Sequence, residues 1–127
     1  MIDTGDTTWI LVSTALVMLM TPGLAFFYGG MVRNKNILST LMMSFAVIGV
    51  IGLLWALYGY TLSFGNDIGG FFGDLKFLGL IGVGEEPSAL YATTVPHLAF
   101  MAFQGMFAVI TAALWTGGVV ERMKFSA

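Results

Sequence analysis

The sequence predicts an all-α, polytopic membrane protein, and three observations carry that prediction. Of the 127 residues, 57% are hydrophobic and only 9% are charged, against roughly 25% charged in an ordinary soluble domain. The charges fall in four clumps: Asp3 and Asp6; Arg33 and Lys35; Asp67, Asp74, Lys76, Glu85 and Glu86; Glu121, Arg122 and Lys124. Between them lie uncharged runs at 7–32, 36–66 and 87–120, each longer than the roughly 20 residues that one helical crossing needs.

The first crossing is predicted at about 8–31. Pro22 lies in its middle, where it has no N–H to give and leaves the carbonyl of Met18 without its helical partner, so a kink is expected there. A carbonyl freed in hydrocarbon has to find another partner nearby. The run then stops in "RNKN", a polar turn at 33–36.

A second crossing is predicted at 37–64. Gly49, Gly52, Ala56 and Gly59 recur at spacings of 3, 4 and 3, a smooth stripe on which another backbone could lie closely. The segment 65–96 is rich in glycine and acids; its "GGFFGDLKFLGLIGVG" is too broken for a crossing and predicts a short excursion packed onto the protein. The third crossing, at about 97–120, carries a second smooth stripe of Gly105, Ala108, Ala112 and Thr116. Three helices cannot bury so many small faces, so the chain reads as a fragment of a longer bundle.

Loop charge sets the orientation. Arg33 and Lys35, with Arg122 and Lys124, fall at one side and the acidic clumps at the other, which places the N-terminus outside by the positive-inside rule. A net charge of −2 without a basic block argues against nucleic acid as a partner, and the absence of cysteine removes disulfides and thiolate sites. The N-terminus lacks a basic n-region and reads as mature sequence. The crossings hold no carboxylate and one histidine, and no phosphate loop, HExxH or GxSxG pattern occurs, so neither an enzyme nor a metal or cofactor site is expected.

The residues that could meet a ligand are aromatic. Phe100, Phe103, Phe107, Thr111 and Leu114 share one face of the third helix, with Gln104 beside it and His97 near its outer end, where a wet or capping histidine is expected. An amide such as Gln104 at membrane depth needs a partner, from another helix or from something passing through a cavity. Phe107 lies ten residues, roughly 15 Å, below the external start of its helix. Phe27 and Tyr28 lie 18 and 19 residues from Trp9, roughly 27 to 29 Å down the first helix. Facing a cavity, these outer and inner pairs would close a narrow path at both ends, and the outer ring faces could attract a small cation. Facing lipid, Tyr28 and Trp9 would be interfacial belt residues. Periodicity leaves both readings open.

Three stretches, "DTTWILVSTALVMLMTPGLAFFYGGMVRNKNILST", "LWALYGYTLSFG" and "VPHLAFMAFQGMFAVITAALWTGGVVERMKFSA", closely resemble the opening part of the ammonium transporter family, the Amt/Mep/Rh proteins. The likeness runs along most of the chain and is loosest at 66–94. It implies the first three helices of an eleven-helix bundle built from inverted repeats, in a homotrimer with one pore per subunit. Carried over by motif, Phe103 and Phe107 in "AFQGMF" correspond to the external recruitment site and the outer gate, and Phe27 and Tyr28 in "FFYGG" to the cytoplasmic constriction. Gln104 and Leu114 are expected beside the pore. The Trp of the external cage, the second gate phenylalanine, the structural Asp and the paired pore histidines of the family have no counterpart in these 127 residues, and His97 matches neither histidine.

The physical logic fits that resemblance. Moving a bare ion into a low-dielectric channel costs tens of kcal/mol in the Born limit, so an apolar pore favours neutral species. Ammonium can shed its proton, whereas a potassium ion of similar size has none to shed. The resemblance therefore implies recruitment of ammonium outside, deprotonation near the gate and passage of ammonia. It also implies a cell-membrane location and a cytoplasmic regulatory partner of the PII type. An ammonium sensor on the same fold, a gas channel of the Rh type and a ligand-free membrane anchor are the competing expectations.

Overall fold

Residues 1–126 are described by a computed structural model in which three long helices run side by side. The first, α1 (Thr4–Met31), is capped by Asp3, whose Oδ1 accepts the backbone N–H of Asp6 at 2.9 Å. That bond satisfies one of the free N–H groups every helix start exposes. Within α1 the Thr8 and Thr14 hydroxyls fold back onto the carbonyls of Thr4 and Ile10 at 2.7 Å, which hides them from hydrocarbon. The helix continues through Pro22. Beside the proline Thr21 is buried, and neither its hydroxyl nor that of buried Ser44 has a hydrogen-bond partner among the described residues.

A turn of 3₁₀ helix at Asn34–Asn36 reverses the chain into the second span. This span is three helical pieces end to end: α2 (Ile37–Leu54), a π-helical turn (Trp55–Gly59) and α3 (Tyr60–Phe64). The π turn is marked by the Tyr60 N–H reaching the carbonyl of Trp55, five residues back. Such turns insert one extra residue into a helix and are frequent at functional sites.

The segment between the second and third spans is folded onto the helix ends, as its composition predicts. It contains two short antiparallel hairpins, β1 (Asp67–Ile68) with β2 (Phe72–Gly73), and β3 (Pro87–Ser88) with β4 (Ala92–Pro96). Thr61, fully buried at the top of α3, ties it down: its hydroxyl donates to the Asp74 carbonyl at 2.6 Å and accepts the Phe77 N–H at 3.0 Å. The Asp74 carboxylate gathers the N–H of Lys76 at 3.0 Å, and the backbone N–H and side-chain amide of Asn66 at 3.2 and 2.8 Å. These bonds, the Lys76 N–H first, hold its carboxyl below the ordinary aspartate range.

The third span, α4 (His97–Val119), starts directly from β4. Its first two N–H groups, of His97 and Leu98, are taken by the loop carbonyls of Glu86 and Gly84 at 3.2 and 3.0 Å. Asp3 N–H bonds the carbonyl of Thr94 at 2.8 Å, so the N-terminus and the long loop share one end of the bundle.

At the opposite end Glu121 closes the structure. Its Oε1 accepts the backbone N–H of Arg33 at 2.9 Å, the Arg33 guanidinium Nε–H at 3.2 Å and the Asn36 amide at 2.8 Å. The basic turn is thus clasped to the segment that follows α4.

The core between α1, α2 and α4 is made of small residues. Thr21, Ala25 and Gly29 of α1 and Thr40 and Ser44 of α2 are buried, as are Gly105, Val109, Ala113 and Thr116 of α4. Among the described residues the two expected stripes are used only in part. A Cβ built on Gly49 or Gly52 would meet nothing within 4 Å among the described residues, because α2 packs on α1 and α4 through its Thr40–Ser44 edge. On α4 Gly105 and Thr116 are buried as expected, but Val109 and Ala113 take the places assigned to Ala108 and Ala112. Large apolar side chains, among them Leu16, Leu19, Phe26, Leu53 and Trp115, stand outward and more than half exposed, as hydrocarbon-facing or bundle-facing positions would.

Candidate functional site

The outer aromatic pair lies on α4. Phe103 and Phe107, one turn apart, meet edge to face with ring centroids 5.1 Å apart and planes at 84°, a geometry favoured by the ring quadrupoles. Phe103 is half-buried and Phe107 is 41% exposed. Phe107 opens onto a groove of about 600 Å³ that also meets Trp55, Ser63, Gln104, Thr111 and Trp115. Gln104, expected beside the site, therefore lines the same groove as Phe107. The Thr111 hydroxyl is turned back onto the Phe107 carbonyl at 2.7 Å, so the wall of the groove below Phe107 presents a methyl group more than a donor.

Phe100, the N-terminal member of the same face, belongs elsewhere. It packs with Phe64 (centroids 5.3 Å) and stacks on Tyr91 (6.0 Å, 10°) in a cluster beneath the loop. His97 is a correction. It is buried, not wet, with its Nε2 and the Tyr60 hydroxyl 2.5 Å apart, and Phe77 standing edge-on to its ring at 5.2 Å. The reason lies in the loop, which sets the Phe77 ring against the histidine, and in Tyr60, which meets it from the second span.

The inner pair lies on α1. Phe27 and Tyr28 have centroids 6.0 Å apart; Phe27 is 62% exposed and Tyr28 is half-buried against α4. The Tyr28 hydroxyl donates to the backbone carbonyl of Leu114 at 3.2 Å, and its ring lies against the backbone of Gly117. The Leu114 side chain is 52% exposed on the open face of α4. The structure thus places all six predicted residues on α1 and α4, brings Phe103, Gln104 and Phe107 together, and joins Tyr28 to Leu114 through the backbone.

One residue of this region was missed by periodicity. Trp55, the first residue of the π turn, reaches across to α4, where its indole N–H donates to the carbonyl of Met101 at 3.2 Å and its ring covers Gly105. It also meets Tyr60 and Phe64 edge-on at 5.8 and 6.2 Å. The available signal was a glycine inside the aromatic run of α4, which reads as a missing side chain over which a ring can lie.

Chemically, the site is a set of ring faces and edges in an apolar wall with one amide. It can attract a small cation by ring quadrupoles and admit a neutral molecule. Among the described residues no group of acidic, histidine or cysteine side chains could hold a metal ion.

Residues 8–127 match the model of the Ammonium Transporter Family. An ammonium transporter of Mycobacterium tuberculosis is 52% identical over 139 residues, covering 98% of this chain and 29% of that protein. One from Bacillus subtilis is 51% identical over 125 residues, covering 97% and 30%. Among solved structures, Mep2 of Saccharomyces cerevisiae superposes with a TM-score of 0.82 at 36% identity, over 94% of this chain and 28% of that one. The chain spans under a third of the length of each of these relatives.

Proposed function

This chain belongs to the ammonium transporter family, and from that membership we propose that it supplies three helices of a pathway carrying ammonium across a membrane. Ammonium is recruited at Phe103 and Phe107, loses its proton near the Phe107 gate, and continues as ammonia toward a constriction at Phe27 and Tyr28. The observation that carries this reading is the edge-to-face Phe103–Phe107 pair, with Phe107 open to a groove that Gln104 also lines. A ring face turned to a passing cation offers about 0.5–2 kcal/mol, enough to concentrate ammonium without trapping it.

On this reading the complete protein lies in the cell membrane with its N-terminus external. It assembles as a homotrimer and presents the Arg33–Asn36 and Arg122–Lys124 end to a cytoplasmic regulatory protein of the PII type. The orientation is supported by the split of charges: the two acidic clumps share the end where Asp3 meets Thr94, and four of the five basic residues lie at the end where Arg33 meets Glu121.

The test is ammonium uptake by the full-length protein in proteoliposomes. Phe107→Ala is expected to weaken the apparent affinity by about 2- to 30-fold, the equivalent of one lost cation–π contact. Uptake identical to the wild type would remove the outer-gate assignment.

A further inference from the structure

We propose that Trp55 is a positioning residue, which fixes the rotation of α4 about its own axis and thereby sets where Phe103 and Phe107 stand. The inference deepens the transport reading above and rests on it.

The argument starts from the glycine. Side chains in an α-helix lean toward the N-terminus and cover the preceding turn. A side chain at position 105 would therefore shield the carbonyl of Met101, four residues earlier. Because residue 105 is glycine, that carbonyl is uncovered, and its second lone pair accepts the Trp55 indole N–H at 3.2 Å in addition to its helical bond. The fit is close: a Cβ built on Gly105 would lie 2.8 Å from Cδ1 and 2.9 Å from Nε1 of Trp55. The contact thus has both a directional component and a steric one.

Trp55 can reach this seat because it begins the π turn. That extra residue changes the phase of the second span, and the indole is backed edge-on by Tyr60 and Phe64. Tyr60 is itself fully buried and held by His97. The indole is therefore wedged between a fixed aromatic cluster and the bare backbone of α4.

The other end of α4 has a matching seat, where Tyr28 lies on Gly117 and donates to the carbonyl of Leu114. The two glycines are twelve residues apart, about 18 Å of helix. A helix held at one point can roll, whereas one held at two separated points has its rotation defined. Ring atoms at about 6 Å from the axis move about 2 Å for a 20° roll, and misplacements of that order matter wherever reacting or recognising groups must be aligned. Phe103 and Phe107 lie within two residues of Gly105, so the Trp55 seat governs them most directly.

The experiment uses the full-length protein in proteoliposomes and compares initial uptake across ammonium concentrations for Trp55→Phe, Gly105→Ala, Trp55→Ala and the double variant Trp55→Ala with Gly105→Ala. Trp55→Phe keeps a ring but removes the N–H; it is expected to raise the apparent KM about 2- to 10-fold, the scale of one lost hydrogen bond. The maximal rate is expected to stay at the wild-type value and the melting temperature of the purified protein to drop by no more than one lost hydrogen bond explains, a split that a merely structural residue would not produce. The double variant is expected to be no worse than Trp55→Ala alone, because Gly105 matters only while the indole is above it.

A wild-type KM in Trp55→Phe, or a KM change that comes only with a larger loss of melting temperature than one hydrogen bond explains, overturns the inference. If Trp55→Phe does not fold, the glycine cycle decides: independent, multiplying effects of Gly105→Ala and Trp55→Ala overturn it. Phe107→Ala measured alongside separates the two levels, since wild-type uptake there sinks the outer-gate assignment on which the inference rests, whereas impaired Phe107→Ala with unaffected Trp55 variants sinks only the positioning role.

Discussion

Tyr28 and Leu114, 86 residues apart in sequence, are joined by a 3.2 Å hydrogen bond from the tyrosine hydroxyl to the leucine carbonyl. The ring that the family resemblance assigns to an inner constriction is thereby also a strut between the first and third spans. The bond uses an acceptor already engaged in the helix, as the Trp55–Met101 bond does.

The strut can be separated from the ring. Tyr28→Phe keeps the aromatic face and deletes the hydroxyl, and is expected to lower stability by about 1 kcal/mol while leaving uptake close to the wild type. Thermal unfolding of the full-length protein in detergent, measured beside proteoliposome uptake, checks both halves.

Adjacent glycines at the end of α4 should respond unequally to alanine. A Cβ on Gly117 would fall 2.6 Å from both Cζ and Oη of Tyr28, whereas one on Gly118 would meet nothing within 4 Å among the described residues. Gly117→Ala is expected to cost about 1–3 kcal/mol through overpacking and a displaced tyrosine. Gly118→Ala, with no such clash among the described residues, is expected to cost less, and paired melting curves test the contrast.

The clasp at the basic end should be acid-sensitive. Glu121 is lowered from its ordinary value to about 2, chiefly by the Asn36 amide, then by the Arg33 backbone N–H and guanidinium. A carboxyl depressed on folding stabilises fully above its unfolded value near 4.5 and loses that contribution as pH falls through the window from about 4.5 to about 2. The group is solvent-exposed, so the effect is expected to be modest and to shrink with salt. Melting temperature against pH should fall more steeply between pH 5 and 3 for wild type than for Glu121→Gln, a range set by ordinary carboxylate titration.

Beneath the loop, Tyr60→Phe would leave the buried His97 ring nitrogen without its hydroxyl partner. A loss of about 1–3 kcal/mol is expected for an unsatisfied buried polar group. His97→Leu combined with Tyr60→Phe, which removes both polar atoms, should recover part of it in the same melting experiment.

The sequence made the class and the three spans legible because uncharged length is a strong, one-dimensional signal. The turn chemistry of "RNKN" was legible too, but not its partner, since Glu121 lies 88 residues from Arg33 and no local rule links them. Small residues announced close packing, yet the face that closes on α4 is shifted and includes Val109, because burial depends on where the neighbouring helix crosses. His97 read as wet because the loop that covers it, through Phe77, comes from a segment whose path is not periodic. Of the site, the aromatic spacing on α4 was visible, whereas Trp55 was hidden by the π turn, which breaks the 3.6-residue phase on which helical face assignment depends.

That π turn also dictates how this chain may be recombined. A helix with one residue added or removed at this height turns everything beyond it by about 100°, without altering its hydropathy or length enough to notice. Chimaeras or deletions cut between Leu54 and Tyr60 would therefore preserve every apparent property of the second span while aiming its aromatic cluster at the wrong wall. Splice points belong below the bulge or above Phe64, where both parents keep their own angular setting.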